Sequence, residues 1–234
     1  MDITSKLWLE KWSNHKYSPI VENYEEKGMI VGSDPEPAAS VCLSSFAESM
    51  KNNFREGMKL LDYGCGSGRF SNFMSKHLEN FEYYGLERYL SDYTKECITR
   101  GIILFSHDSR IRFGFTETEF ESHAISNADT VLLLSVFTHT TIEETHKIIE
   151  KLLPIVNKEG GMIVFSMIHS HDGEDETLNY VLGEDGAYGF SDGYHVVKNT
   201  KEQVKEIEVK FGVKIELVDT FNAGWIHSIY SMTK

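Results

Sequence analysis

Basic residues are in short supply. The chain has 23 Lys and Arg against 36 Asp and Glu, a formal charge of −13 and a pI near 5.2. A surface that neutralises phosphates needs a basic stripe, so nucleic acid is excluded as the expected partner. Cysteine is equally scarce: Cys42, Cys65 and Cys97 are odd in number, far apart and without C-x-x-C spacing. That pattern supports neither a disulfide framework nor a zinc site, and reduced thiols point to a cytoplasmic location. No apolar run approaches the ~18 residues of a membrane span, and Met1-Asp2-Ile3-Thr4 lacks the basic-then-apolar profile of a signal peptide. The expectation is a soluble, unexported protein without membrane association. There is no internal repeat and no low-complexity segment. What is present, 234 residues with 41% hydrophobic content, suffices for one domain with a full core.

The organising stretch is Lys59-Leu60-Leu61-Asp62-Tyr63-Gly64-Cys65-Gly66-Ser67-Gly68-Arg69-Phe70. Apolar residues run into an acid and then into three alternate glycines, the pattern of a buried strand, a tight turn and the first turn of a helix. Without Cβ atoms, glycines let the backbone take positive φ and bring bare N–H groups to a ligand, and the helix N-terminus adds partial positive charge. A dinucleotide fingerprint G-x-G-x-x-G would need glycine at 69 or 71, where Arg69 and Ser71 stand. This disfavours a nucleotide-linked oxidoreductase. The remaining pattern is D-x-G-x-G-x-G.

Strand signals follow at about 58–63, at 82–87 (Glu82-Tyr83-Tyr84-Gly85-Leu86-Glu87), at about 110–115, at 128–135 and at 162–168. Between them lie helical stripes: Phe70, Phe73, Met74, His77 and Leu78, all expected in the core; a helix over roughly 90–100; and Ile142, Ile149 and Leu152. The run from Ala128 to Ser135 is continuously apolar after its first residues, as in a strand buried on both faces. Asn199 or Thr200 caps a helix carrying Val204, Ile207 and Phe211, and strands over 213–221 and 225–233 form a hairpin through Asn222-Ala223-Gly224. Leu43, Phe46, Ala47, Met50 and Phe54 predict a helix over 38–54. The aromatic segment 1–37 reads as an appendage or lid, and the polar, glycine-rich 169–198 as an insertion. Strands alternating with helices predict an α/β, doubly wound, mostly parallel sheet. Ligands of such sheets bind outside the carboxyl ends of the strands, where strand order reverses.

With Asp62 before the glycine turn, Glu87 placed 21 residues after Gly66, and Ser135-Val136-Phe137-Thr138-His139 after the fourth strand, the chain resembles the class I S-adenosylmethionine-dependent methyltransferases of small-molecule type. The resemblance covers 38–234 and implies a Rossmann-like seven-stranded sheet of order 3-2-1-4-5-7-6 with strand seven antiparallel. It implies S-adenosylmethionine as cofactor: Gly64, Cys65, Gly66 and Gly68 cradle its methionine half, Asp62 belongs to the ammonium site, and Glu87 takes the ribose hydroxyls. Arg88 and Tyr89 pack on the adenosine, Thr116 and Glu117 contact adenine, and Ser135 lies beside the cofactor. The expected partner is a small-molecule acceptor methylated at O or N. Histidine suits the removal of a proton at neutral pH. The candidates are His139, His169, His171 and His195, with Tyr188 and Tyr194 nearby. His169, His171 and Asp172 also suit a divalent ion, but no metal is predicted. A non-catalytic module binding S-adenosylmethionine or S-adenosylhomocysteine is the remaining reading.

Overall fold

The computed structural model of the chain describes residues 54–66, 68–88, 95, 98, 99, 101–103, 105–116, 126–169, 198–222 and 226–234. The expectations placed on 1–53, most of the helix over 90–100, the insertion between 169 and 198 and the hairpin tip at Ala223 and Gly224 lie outside these residues. The strands are β1 (Met58–Tyr63), β2 (Phe81–Glu87), β3 (Ile111–Phe115), β4 (Thr130–Leu133), β5 (Met162–His169), β6 (Lys198–Asn199), β7 (Lys214–Asn222) and β8 (Ile226–Thr233). Helices whose bounds lie within the described residues are α1 (Arg69–His77), α2 (Ile142–Leu152) and α3 (Lys201–Phe211), with a 3-10 turn at Phe137–His139.

The sheet runs β3-β2-β1-β4-β5-β8-β7, with β6 paired to β5. Pairing is parallel from β3 to β5 and antiparallel at β5–β8 and β7–β8. This is the expected doubly wound order, with β7 and β8 in the places of the predicted sixth and seventh strands. The addition is β6, two residues whose register sets Ile168 opposite Lys198 and His169 opposite Asn199. β4 is shorter than predicted because Ala128 makes only an isolated bridge to Val156, while Ser135 turns into the left-handed region at φ 59°.

Each central strand is buried on both faces, so neighbouring residues serve different cores. Leu60, Tyr83, Ile111, Leu132 and Val164 pack under α1 with Phe70 and Met74. Leu61, Leu86, Val131, Leu133 and Phe165 pack with Ile149 and Leu152 of α2 and Ile207 of α3. The expectation that His77 joins the core is corrected: it is exposed on the last residue of α1, and the extended Leu78 makes the apolar contact instead. Both later helices start at capping boxes, Thr141 with Glu144 and Thr200 with Gln203, each satisfying two otherwise orphaned N–H groups.

The register also sets a steric condition beside the first turn. Gly85 lies opposite Asp62 and Phe113, and a Cβ built there would meet Phe113 Cδ1 at 2.6 Å and Cys65 Sγ at 2.9 Å. Gly85→Ala is therefore expected to destabilise the fold by about 1–3 kcal/mol through overpacking. Chemical denaturation should show Phe113→Leu recovering part of that loss in the double variant.

Candidate functional site

The turn between β1 and α1 is built from positive-φ glycines: Gly64 at 78°, Gly66 at 58° and Gly68 at 92°. Its backbone is tied to the neighbouring strand by Gly64 N–H, which donates to the Leu86 carbonyl at 2.7 Å, and by Cys65 N–H, which donates to the same oxygen at 3.2 Å. The clearance is filled by protein on two sides. A Cβ on Gly64 would lie 2.6 Å from Val136 Cγ2, and one on Gly68 would lie 2.5 Å from Phe113 Cζ. The turn thus threads between β3 and the segment after β4. Gly68 leads into α1 without a side-chain cap or an acid in the first turn, leaving the N-terminal N–H groups of that helix without those two internal sources of compensation.

Two carboxylates stand at this edge. Glu87, at the end of β2, accepts from Gly66 N–H through Oε2 (3.1 Å) and from Arg88 N–H through Oε1 (3.1 Å). Burial raises its pKa to about 7 against the opposing pull of those two N–H donors, and the negative charge of Asp62 adds to the rise. Asp62, buried at the end of β1, accepts a hydrogen bond from the Tyr83 hydroxyl at 2.7 Å. Thr116 is buried at the end of β3; Tyr89 and Glu117 lie outside the described residues.

After β4 the chain reverses sharply. Ser135 sits in the left-handed region, at a cost on the order of 1 kcal/mol or more for a residue with a Cβ. Its N–H donates to Ser166 Oγ at 2.8 Å, and its carbonyl accepts from Thr138 Oγ1 at 2.9 Å. The turn Phe137–His139 follows, held by Asn199 Nδ2, which donates to the Phe137 carbonyl at 3.3 Å. The backbone of His139 therefore stands at the same edge as the glycine turn.

His169 is placed differently. Its Nδ1 lies 2.8 Å from the Asn199 carbonyl, which can only accept, so Nδ1 carries the proton; Nε2 then accepts from the Tyr230 hydroxyl at 2.6 Å. Burial lowers the His169 pKa below its ordinary value and raises that of Tyr230. Both ring nitrogens are engaged by protein. His171, Asp172, Tyr188, Tyr194 and His195 lie outside the described residues. Among the described residues, no group of three or more His, Cys, Asp or Glu is placed to hold a metal ion. Tyr83, Phe113, Val136, Ser166 and Asn199 shape the site, and none of them was expected from the sequence to contact a ligand. For Tyr83 a signal was available in strand parity, since Tyr83, Gly85 and Glu87 share a face of β2.

A family described as "Methyltransferase domain" matches residues 54–212, from just before β1 through the end of α3. The chain belongs to the methyltransferase-domain family. Within this methyltransferase fold, the glycine turn, Asp62 and Glu87 occupy the carboxyl edge of β1 and β2, beside the point where strand order reverses between β1 and β4. The fold is shared at 14% identity and a TM-score of 0.63 with magnesium protoporphyrin IX methyltransferase from Synechocystis PCC 6803, crystallised with S-adenosylhomocysteine, over 98% of each chain. It is shared with PH0226 protein from Pyrococcus horikoshii OT3 at 15% identity and a TM-score of 0.58, over 94% of this chain and 99% of that one. A segment of 74 residues is 28% identical to ribosomal protein L11 methyltransferase of Stenotrophomonas maltophilia (strain R551-3), covering 29% of this chain and 24% of that relative.

The raised pKa of Glu87 has a definite sign. The folded protein retains a proton on Glu87 between pH 4.5, where the free side chain titrates, and about pH 7, so its stability contribution declines as pH rises through that window. His146, His169 and His227, whose pKa values are lowered mainly by burial, act oppositely and lose stability on acidification. The stability difference between wild type and Glu87→Gln isolates the carboxyl. Urea denaturation without ligand should show that difference falling from pH 5 to pH 8, while a flat difference would place the ionised form at no disadvantage.

Proposed function

We propose that the protein transfers the methyl group of S-adenosylmethionine to an oxygen or nitrogen of a small-molecule acceptor. The observation that carries this reading is the junction of Gly66 N–H with the Glu87 carboxylate, at the carboxyl edge of adjacent parallel strands. A positive-φ glycine turn without Cβ atoms at its closest points, a buried acid beside it and a second acid at the next strand end fit the two polar halves of that cofactor. In this reading Asp62 meets the ammonium, and Gly64, Cys65, Gly66 and Gly68 lie along the methionine part. Glu87 accepts from the ribose hydroxyls, Arg88, Thr116 and Glu117 serve adenosine, and Ser135 borders the reacting end. A bound sulfonium supplies an already electrophilic methyl. The chain's own work is then to align the acceptor in line with it, exclude water and take up the acceptor's proton.

His139 is our choice for the proton acceptor, because it follows β4 at the reversal point. His195 is the alternative, and His169, with both nitrogens occupied, is assigned a positioning role. The acceptor pocket is assigned to segments 1–37 and 169–198. A charge of −13 disfavours a polyanionic polymer as acceptor. Two solved proteins of this fold support a small aromatic or macrocyclic class: the magnesium protoporphyrin IX enzyme, and NcsB1, an O-methyltransferase from neocarzinostatin biosynthesis complexed with 1,4-dihydroxy-2-naphthoic acid. NcsB1 matches at 15% identity with a TM-score of 0.55, over 84% of this chain and 55% of that one. We assign the protein to the cytoplasm from its cysteine pattern, and no described helix is long and apolar enough to cross a membrane.

Calorimetry should give binding heat with S-adenosylmethionine and S-adenosylhomocysteine and none with NAD, and Glu87→Ala should weaken either cofactor by about 1–3 kcal/mol with the fold intact. Tight NAD binding without heat from S-adenosylmethionine would overturn the assignment. Once an acceptor is in hand, His139→Ala should cut turnover ~10²- to 10⁴-fold while cofactor affinity stays near wild type. Full turnover in that variant would move the role of base to another residue.

A further inference from the structure

We propose that Tyr83 is a positioning residue for cofactor recognition, its hydroxyl holding the Asp62 carboxylate in the orientation that receives the cofactor's ammonium; this rests on the cofactor reading above. Asp62 is 3% exposed and Tyr83 1% exposed, and the O–H···O bond between them is 2.7 Å. A carboxylate at the end of a strand retains rotation about its terminal bond, and an acid so buried cannot rely on water to orient it. The phenol supplies a fixed donor. An ionised carboxylate has about four lone-pair sites, so donation from the phenol is compatible with a cation at the same group.

Tyr83 is itself fixed by its surroundings. Its strand pairs with β1 at Leu60, two residues before Asp62, and its ring meets Phe113 edge-on at 5.8 Å. Phe113 occupies the space left open by Gly68 and Gly85. A continuous packed path therefore runs from the glycine turn through Phe113 and Tyr83 to Asp62. A phenylalanine at 83 keeps the ring and its packing and removes only the hydroxyl.

The test uses the full chain, variants Tyr83→Phe and Asp62→Asn and their combination, and two ligands, with melting temperatures measured in parallel. S-adenosylhomocysteine carries the amino-acid half; 5′-methylthioadenosine retains the nucleoside and thioether without it. Tyr83→Phe should bind S-adenosylhomocysteine about tenfold more weakly, the loss of one hydrogen bond to a charged group, with 5′-methylthioadenosine unchanged. In the double variant, Tyr83→Phe should add little to the loss caused by Asp62→Asn. Wild-type affinity in Tyr83→Phe alongside a loss in Asp62→Asn would overturn the inference and leave the cofactor reading standing. Equal weakening of both ligands with a lowered melting temperature would make Tyr83 merely structural and overturn it as well. Unchanged S-adenosylhomocysteine affinity in Asp62→Asn would remove the cofactor role of Asp62 itself, and the inference with it.

Discussion

The first turn of the domain must pass from β1 into α1 between Phe113 on one side and Val136 on the other, with no room for a Cβ at Gly64 or Gly68. The rest of the site depends on that constraint. Because the backbone comes this close to β2 and to the segment after β4, Gly66 N–H reaches Glu87 and the glycine turn borders the Ser135 reversal. A side chain at Gly64 or Gly68 would displace Val136 or Phe113, and with them the alignment of two strand ends.

Electrostatically the edge is built from two acids under different control. Glu87 is met by two backbone donors, yet burial outweighs them and holds the carboxyl near neutrality in its titration. Asp62 is met by a phenol from the neighbouring strand. Repulsion between the two acids contributes to the raised pKa of Glu87. The hydrogen bonds around Ser166, Asn199 and His169 do related work on the other side, tying the ends of β4, β5 and β6 to one another.

Much of this was legible in the chain itself. Local patterns carry local geometry: alternate glycines after an apolar run announce the positive-φ turn, and an acid ending the next strand announces Glu87. Thr200 with Gln203, like Thr141 with Glu144, begins a helix where a capping residue stands three positions before a side chain that can reach back. What was not legible depends on pairing between distant segments. Nothing near Tyr83 indicates Asp62, which is 21 positions away and adjacent only once the β1–β2 register is formed. The partners of His169 are 30 and 61 positions distant, so its type suggested a base while its surroundings occupy both nitrogens. His77 satisfies helical spacing, yet it lies at a helix end where periodicity no longer implies burial. Ser135 carries no conformational signature, since serine rarely adopts the backbone it has here.

The proposed central role of the Glu87 and Gly66 junction is tested most directly by NMR on the intact chain, following the Glu87 side-chain carboxyl carbon and the Gly66 amide through a pH titration with and without S-adenosylhomocysteine. The free-protein titration is expected near pH 7 and should move down toward the ordinary carboxylate range when ribose hydroxyls donate to the ionised form, together with a shift of the Gly66 amide. A Glu87 titration and a Gly66 resonance both unaffected by saturating S-adenosylhomocysteine would contradict it.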